Sequence, residues 1–195
     1  MRKIIYITVL VMIFAWTKNG YAQLNLGIDA GVRIPSTTTY NNTLYTGYGV
    51  AATGEYVISY TPLSITLCAG YDNWGYKSSA FYVVSNSGVR YTNLGNVNMY
   101  SYILAAGPKL FIQIPETSLS VYAGISAGFM SATSSLQDAS YGTGFIYSPS
   151  VGFRYKLSSS RKTSLDLNVT QSNFKQSGTP TFSWIEVNAG LYFSL

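Results

Sequence analysis

The stretch from Leu24 to Ile34 sorts its residues by parity. Its even positions are Leu24, Leu26, Ile28, Ala30, Val32 and Ile34; its odd ones are Asn25, Gly27, Asp29, Gly31 and Arg33. A period of two marks an extended strand with one apolar and one polar face, whereas the faces of a helix recur about every 3.6 residues. The same split returns along the chain. Beyond the first few residues, every charge in a strand-like segment falls on the polar face. The chain is therefore restricted to β architectures whose strands separate two unlike environments.

Turn signals and alternation divide the chain into eight strands: Leu24–Ile34, Gly47–Ser59, Leu63–Asp72, Val97–Gln113, Ser118–Met130, Gly144–Leu157, Thr163–Gln171 and Phe182–Leu195. Several reach the ~9–11 residues that a tilted strand needs to cross a bilayer. The connections alternate in length. Residues 60–62, 114–117 and 158–162 form short ones; 35–46, 73–96, 131–143 and 172–181 form longer ones rich in Ser, Thr, Asn, Gly and Tyr. Strands running up and down would gather the short turns at one rim and the long loops at the other. The longest connection carries a hairpin of its own, Phe81–Val84 and Val89–Thr92 around Ser85–Gly88. Its arms are too short to span a membrane, so it reads as an extension of an eight-stranded barrel; a ten-stranded barrel is the alternative. Trp184 falls out of step with the apolar face of the last strand, which places a bulge or the loop edge there.

Alternation alone does not say which face points outward, because a soluble sandwich or a lipocalin-like barrel alternates as well. Three features favour lipid on the apolar side. Along that face aliphatic residues take the strand middles, as at Val50, Leu67, Leu104, Leu167 and Val187. Aromatic residues lie towards the ends, as at Tyr48, Tyr56, Tyr102, Phe129, Phe153 and Phe193. Two aromatic belts around an aliphatic band match the two interfaces of a bilayer. The polar face carries Asp29, Arg33, Glu55, Lys109, Arg154, Asp166 and Glu186 among small residues, in a chain only 10% charged. That composition suits a narrow lumen with an ion-pair network better than a solvated exterior. Finally, Val187, Ala189, Leu191, Phe193 and Leu195 hold the alternation to the last residue. The fold class expected is all-β: a closed, antiparallel, up-and-down transmembrane barrel.

The first residues read as a secretory leader. Met1-Arg2-Lys3 is basic, Ile4–Trp16 is apolar, and Thr17–Ala22 is polar and ends in small residues. Cleavage after Ala22 would leave one domain, residues 23–195. The leader holds three of the 12 basic residues and none of the seven acids, so the remainder is only mildly basic. No basic stripe suggests nucleic acid. Cys68 is the single cysteine, so the fold has no intramolecular disulfide.

Gly190-Leu191-Tyr192-Phe193-Ser194-Leu195 resembles the C-terminal sorting strand of bacterial outer-membrane barrels, although that family usually ends on an aromatic residue. With the leader and the strand count, the chain resembles the small OmpA/OmpX-like and PorT-like barrel proteins along its length. The resemblance implies a multi-pass protein of the bacterial outer membrane, in contact with its lipid and lipopolysaccharide. It also implies delivery by the barrel-assembly machinery, with Leu191, Phe193 and Leu195 as the signal.

Chemistry is hard to build from this composition. The chain has no histidine. The lipid-modifying and phospholipase families among small barrels rely on one as general base. One cysteine and no histidine leave little for zinc, and no cofactor is implied. Asp29, Asp166 and Glu186 could form a paired-acid site only if two of them met in a cleft. The reading preferred here places them in the lumen network. The site-like feature is a set of aromatic residues in the long loops: Tyr40, Tyr45, Trp74, Tyr76, Phe81, Tyr82, Tyr91 and Tyr141. Tyrosine among small polar residues makes a contact surface for an extracellular protein or glycan; an upper girdle resting on lipopolysaccharide is the plainer reading. The function expected is a non-catalytic envelope or surface-contact role. A narrow solute channel and a soluble barrel holding an apolar ligand are the alternatives.

Overall fold

The computed structural model describes residues 23–77, 81–85, 88–92, 97–135, 140–157, 162–178 and 180–195. The leader lies outside the described residues. Ten strands follow one another: β1 (Gln23–Pro35), β2 (Gly47–Val57), β3 (Leu63–Gly75), β4 (Phe81–Ser85), β5 (Gly88–Thr92), β6 (Asn98–Gln113), β7 (Leu119–Ser134), β8 (Ser140–Lys156), β9 (Thr163–Lys175) and β10 (Phe182–Ser194). One helical turn, α1 (Thr38–Asn41), sits in the first long loop.

Eight of the strands close into an antiparallel barrel in the order β1-β10-β9-β8-β7-β6-β3-β2, each paired with its neighbours in sequence apart from β4 and β5. Those two form a separate hairpin, so the barrel has eight strands and the ten-stranded alternative falls. Closure comes from β1 against β10, where Asp29 pairs with Gly190 and Arg33 with Glu186. A closed ladder leaves no strand edge unpaired, which is what an apolar solvent demands of a spanning sheet. The strands run from 11 residues in β2 to 17 in β8, enough to cross a bilayer and project beyond it.

Two short turns are built alike. In residues 58–62 and 114–118, Ile58 and Ile114 donate to Leu63 and Leu119, both at 3.0 Å. The hydroxyls of Thr61 and Thr117 bond back to the Ile58 and Ile114 carbonyls. Tyr60 and Glu116 take the tight corner in left-handed backbone, at φ 60° and 59°. These turns lie at one rim with the start of β1 and the end of β10; the strand ends that border the long connections lie at the other.

Parity holds along most of the wall; near the long-loop rim β7 and β8 shift register between Ala132 and Thr133, and Asn73 is buried beside Asp72 and Trp74. On the even or odd set facing outward, Ile28, Val50, Ile65, Val151 and Val187 are exposed, and Leu67 and Leu104 are each 56% exposed. Among the aromatics of the same face, Tyr48, Tyr102, Phe129, Phe145 and Tyr147 approach the long-loop rim, and Tyr56, Phe153, Tyr155 and Phe193 the short-turn rim. The inward set is polar and small, and its glycines make room for rings. Gly27 stands opposite Tyr192, and Gly152 opposite Tyr122. A Cβ at either position would meet its ring at 2.5 or 2.7 Å. The core of this protein is therefore its lumen.

Trp184 keeps the parity of β10. It points inward with Glu186 and pairs with Pro35 and Ser172 in unbroken register. Of the two readings offered by the sequence, the bulge is absent and the loop edge holds: Trp184 lies two residues from the start of β10, at the long-loop rim. Near the long-loop rim the interior itself turns apolar. An inward tryptophan is at home there.

Candidate functional site

The lumen is filled in layers. Nearest the short turns, Arg154 lies between two carboxylates. Its Nη1 and Nη2 donate to Glu55 at 2.7 and 3.2 Å, and its Nε donates to Asp166 at 3.0 Å. The guanidinium carbon rests 4.0 Å from the centre of the Tyr192 ring and 4.9 Å from that of Phe111. Asn25 also donates to Glu55 at 2.8 Å, and the Tyr122 hydroxyl to Asp166 at 2.6 Å. Lys109 Nζ stands 3.9 Å from Glu55 and 4.6 Å from the Tyr122 ring centre. Glu55 and Asp166 are fully buried. The low local dielectric makes each of these contacts strong, and makes the loss of any partner expensive.

A second charged layer sits nearer the long loops. Arg33 Nε donates to Asp72 at 2.7 Å, and its Nη2 lies 3.5 Å from Glu186. Arg33 also donates to Asn188, and Glu186 accepts from Ser172 and from the Trp184 indole. Between the two layers lies a chamber of about 120 Å³, bounded by Asp29, Thr53, Thr66, Lys109, Ser148 and Asn188 among others.

Above the second layer the mouth is stopped by apolar side chains. Trp74, Met99, Met130, Ile146, Phe174, Phe182 and Trp184 pack together, with Leu44 inserted from the first loop. Trp74 meets Trp184 edge-on at 5.5 Å and Phe182 at 5.4 Å. The loop is held down by backbone bonds from Tyr45 to Gly75 and from Lys77 to Thr43, both 2.8 Å. Leu44 is 1% exposed as a result.

The seven charged residues read from the sequence all point into the lumen. Six of them make ion pairs: Arg33, Glu55, Lys109, Arg154, Asp166 and Glu186. Asp29 instead accepts from Tyr192 at 3.0 Å and Thr53 at 3.3 Å. Asp72 is a member that sequence reasoning missed. It is the last residue of the strand expected from the sequence, next to the long connection, and β3 continues past it to Gly75. The paired-acid site does not form from Asp29 and Glu186. Gly190 is the partner of Asp29, four residues along β10 from Glu186, which is roughly 13 Å of extended chain.

The loop aromatics divide. Trp74 and Tyr76 are corrections: they were expected on an outer contact surface and are buried, at 0% and 2% exposure, in the stopper of the mouth. The reason is again the length of β3, which carries Trp74 inward on the face of Asp72. Tyr40 packs on Phe182 with ring centres 4.5 Å apart. Tyr45 is 52% exposed. The side chains of Phe81, Tyr82, Tyr91 and Tyr141 lie outside the described ones. Leu191, Phe193 and Leu195 are exposed on the outer wall, and the Leu195 amide still bonds to Leu24 at 2.9 Å.

No family model and no curated protein matches the sequence. Solved structures do match the fold. Neisserial surface protein A superposes with a TM-score of 0.65 at 14% identity, over 89% of this chain and 99% of that one. The fold is that of the small outer-membrane barrels. The outer membrane protein OprG of Pseudomonas aeruginosa superposes with a TM-score of 0.53 at 9% identity, over 90% of this chain and 96% of its own. At such identities the likeness is one of fold, and it agrees with the resemblance to OmpA/OmpX-like and PorT-like barrels read along the chain.

Proposed function

We propose that this chain is an integral outer-membrane protein with a non-catalytic role, presenting the long-loop rim outside the cell as a structural or contact element of the envelope. One observation carries the reading: a broad exposed apolar wall surrounds an interior of buried ion pairs. In water that wall would be a contiguous apolar patch far beyond what monomeric proteins expose. In a bilayer it is solvated, and the two aromatic belts fall at the interfaces. Residues 1–22 serve as the export leader, and Leu191, Phe193 and Leu195 present the strand that the assembly machinery reads. Lipid and lipopolysaccharide are the standing partners. Tyr45 on the long-loop rim, with the hairpin of β4 and β5, offers a surface to an extracellular protein or glycan.

The interior argues against a solute path or an apolar ligand. Charged layers and a packed apolar stopper lie in series along the lumen. Eight strands leave an interior that side chains can fill. Fractionation with gel mobility tests the reading. The protein should stay with outer membranes through a carbonate wash and migrate differently before and after boiling. Release by carbonate without detergent would refute membrane integration. Stable unit steps of conductance in planar bilayers would refute the closed lumen.

A further inference from the structure

The upper aromatic belt does not run all the way round the barrel. Tyr48 in β2, Tyr71 in β3, Tyr102 in β6, Phe129 in β7, and Phe145 and Tyr147 in β8 face outward near the long-loop rim. At β9 and β10 the belt is broken. Asn173 stands beside Tyr147 and Ser183, and Lys175 beside Phe145. Phe174 between them is buried in the stopper, so Asn173 and Lys175 take the outward side. Among the described residues, Lys175 is the one charged residue of outward parity in a barrel strand, and no carboxylate lies within 4.0 Å of it. A row of polar groups adjoins it. Ser183 Oγ donates to Asn173 Oδ1 at 2.9 Å, Asn173 Nδ2 to the Gln171 carbonyl at 3.3 Å, and Gln171 Nε2 to Ser36 Oγ at 3.4 Å. Gln171 Oε1 and one amide proton of each side chain have no partner among the described residues. Below this row the wall turns apolar again, with Leu167, Val169, Ile185 and Val187 outward.

We propose that this break in the belt seats lipopolysaccharide, a phosphorylated glycolipid, by its headgroup. The site rests on the reading that the long-loop rim faces the cell exterior. An ammonium and amides facing hydrocarbon are costly, so their neighbours at this height must be polar. Lys175 supplies a point charge for a phosphate. The amides and hydroxyls of Gln171, Asn173 and Ser183 both donate and accept, as the hydroxyls of a sugar do. A phosphodiester alone would use the ammonium and leave that row idle. The aliphatic residues beneath take the acyl chains.

The test uses residues 23–195 folded in detergent micelles, offered rough lipopolysaccharide, its dephosphorylated form or phosphatidylglycerol, with bound lipid counted by native mass spectrometry. The unaltered protein should retain lipopolysaccharide roughly tenfold better than either of the others, the worth of one charge-assisted contact. Lys175→Ala should lose that preference, while Lys156→Ala at the short-turn rim should keep it. The mobility shift on boiling, read on the same samples, reports the barrel separately. With that shift present, equal retention of the three lipids, or a preference that survives in Lys175→Ala, would overturn the glycolipid site and leave membrane integration standing. So would protein dimers in place of lipid adducts, which would give the break to a second copy of the chain. A missing shift would refute the barrel, and the site with it.

Discussion

Replacing Arg154 by methionine tests the lumen network at its most connected point. The guanidinium makes three charge-assisted bonds to two fully buried carboxylates and stacks on Tyr192. Removing one partner from a buried ion pair costs about 3–5 kcal/mol, because the remaining charge is stranded. Two charges are stranded here, but each keeps some support. Glu55 retains Asn25 and the distant Lys109; Asp166 retains Tyr122 and Asn168. The loss should therefore lie near the lower end, about 3 kcal/mol. With a urea slope of about 1–3 kcal/mol per molar, the midpoint should fall by roughly 1 M or more. Reversible urea unfolding in lipid vesicles measures it. Neutralising the stranded partners as well, in Arg154→Met with Glu55→Gln and Asp166→Asn, should recover most of the loss. A fall below about 1 kcal/mol in the single variant is what an exposed pair would give, and it would refute a dry, strongly coupled lumen.

The wall and the stopper give further expectations. Leu104→Arg places a charge on the outer face at mid-strand and should cost about 2–4 kcal/mol of insertion free energy in vesicle folding assays; Leu167→Arg should behave alike and Asn168→Arg, on the lumen side, should be milder. Trp184→Ala removes a fully buried ring from the stopper and should cost about 3–5 kcal/mol by denaturant titration. Gly128→Ala drives a methyl group into the Leu104 carbonyl of β6, a backbone atom that cannot swing aside, and should cost about 1–3 kcal/mol by the same titration.

Much of the wall was legible because a barrel strand separates two media and so writes its parity into the sequence. Leu24–Ile34 and Val187–Leu195 needed no tertiary knowledge to place their outward residues. The charged residues were legible for the same reason, since a charge on the lipid side is expensive wherever it sits. The mouth was not. There the interior becomes apolar, and period two no longer tells inside from outside. Trp184 reads from the sequence as a bulge or the loop edge and Trp74 as a loop residue, although both lie in regular ladders. Asparagine, serine and glycine read as loop where β3 continues through Asn73 and Trp74 to Gly75 and β9 through Ser172 and Asn173 to Lys175. The partners within the lumen were also beyond the sequence. That Arg154 spans Glu55 and Asp166 depends on closure of the barrel, which brings β2 and β8 across the axis from each other.

Lipid around the outer wall is tested most directly by spin-label accessibility at one outward residue. With Cys68 replaced by serine, a nitroxide at Leu104→Cys in the bilayer-embedded protein should collide freely with oxygen and be shielded from a water-soluble nickel complex. Ready collision with the nickel complex, or shielding from both reagents, would contradict it.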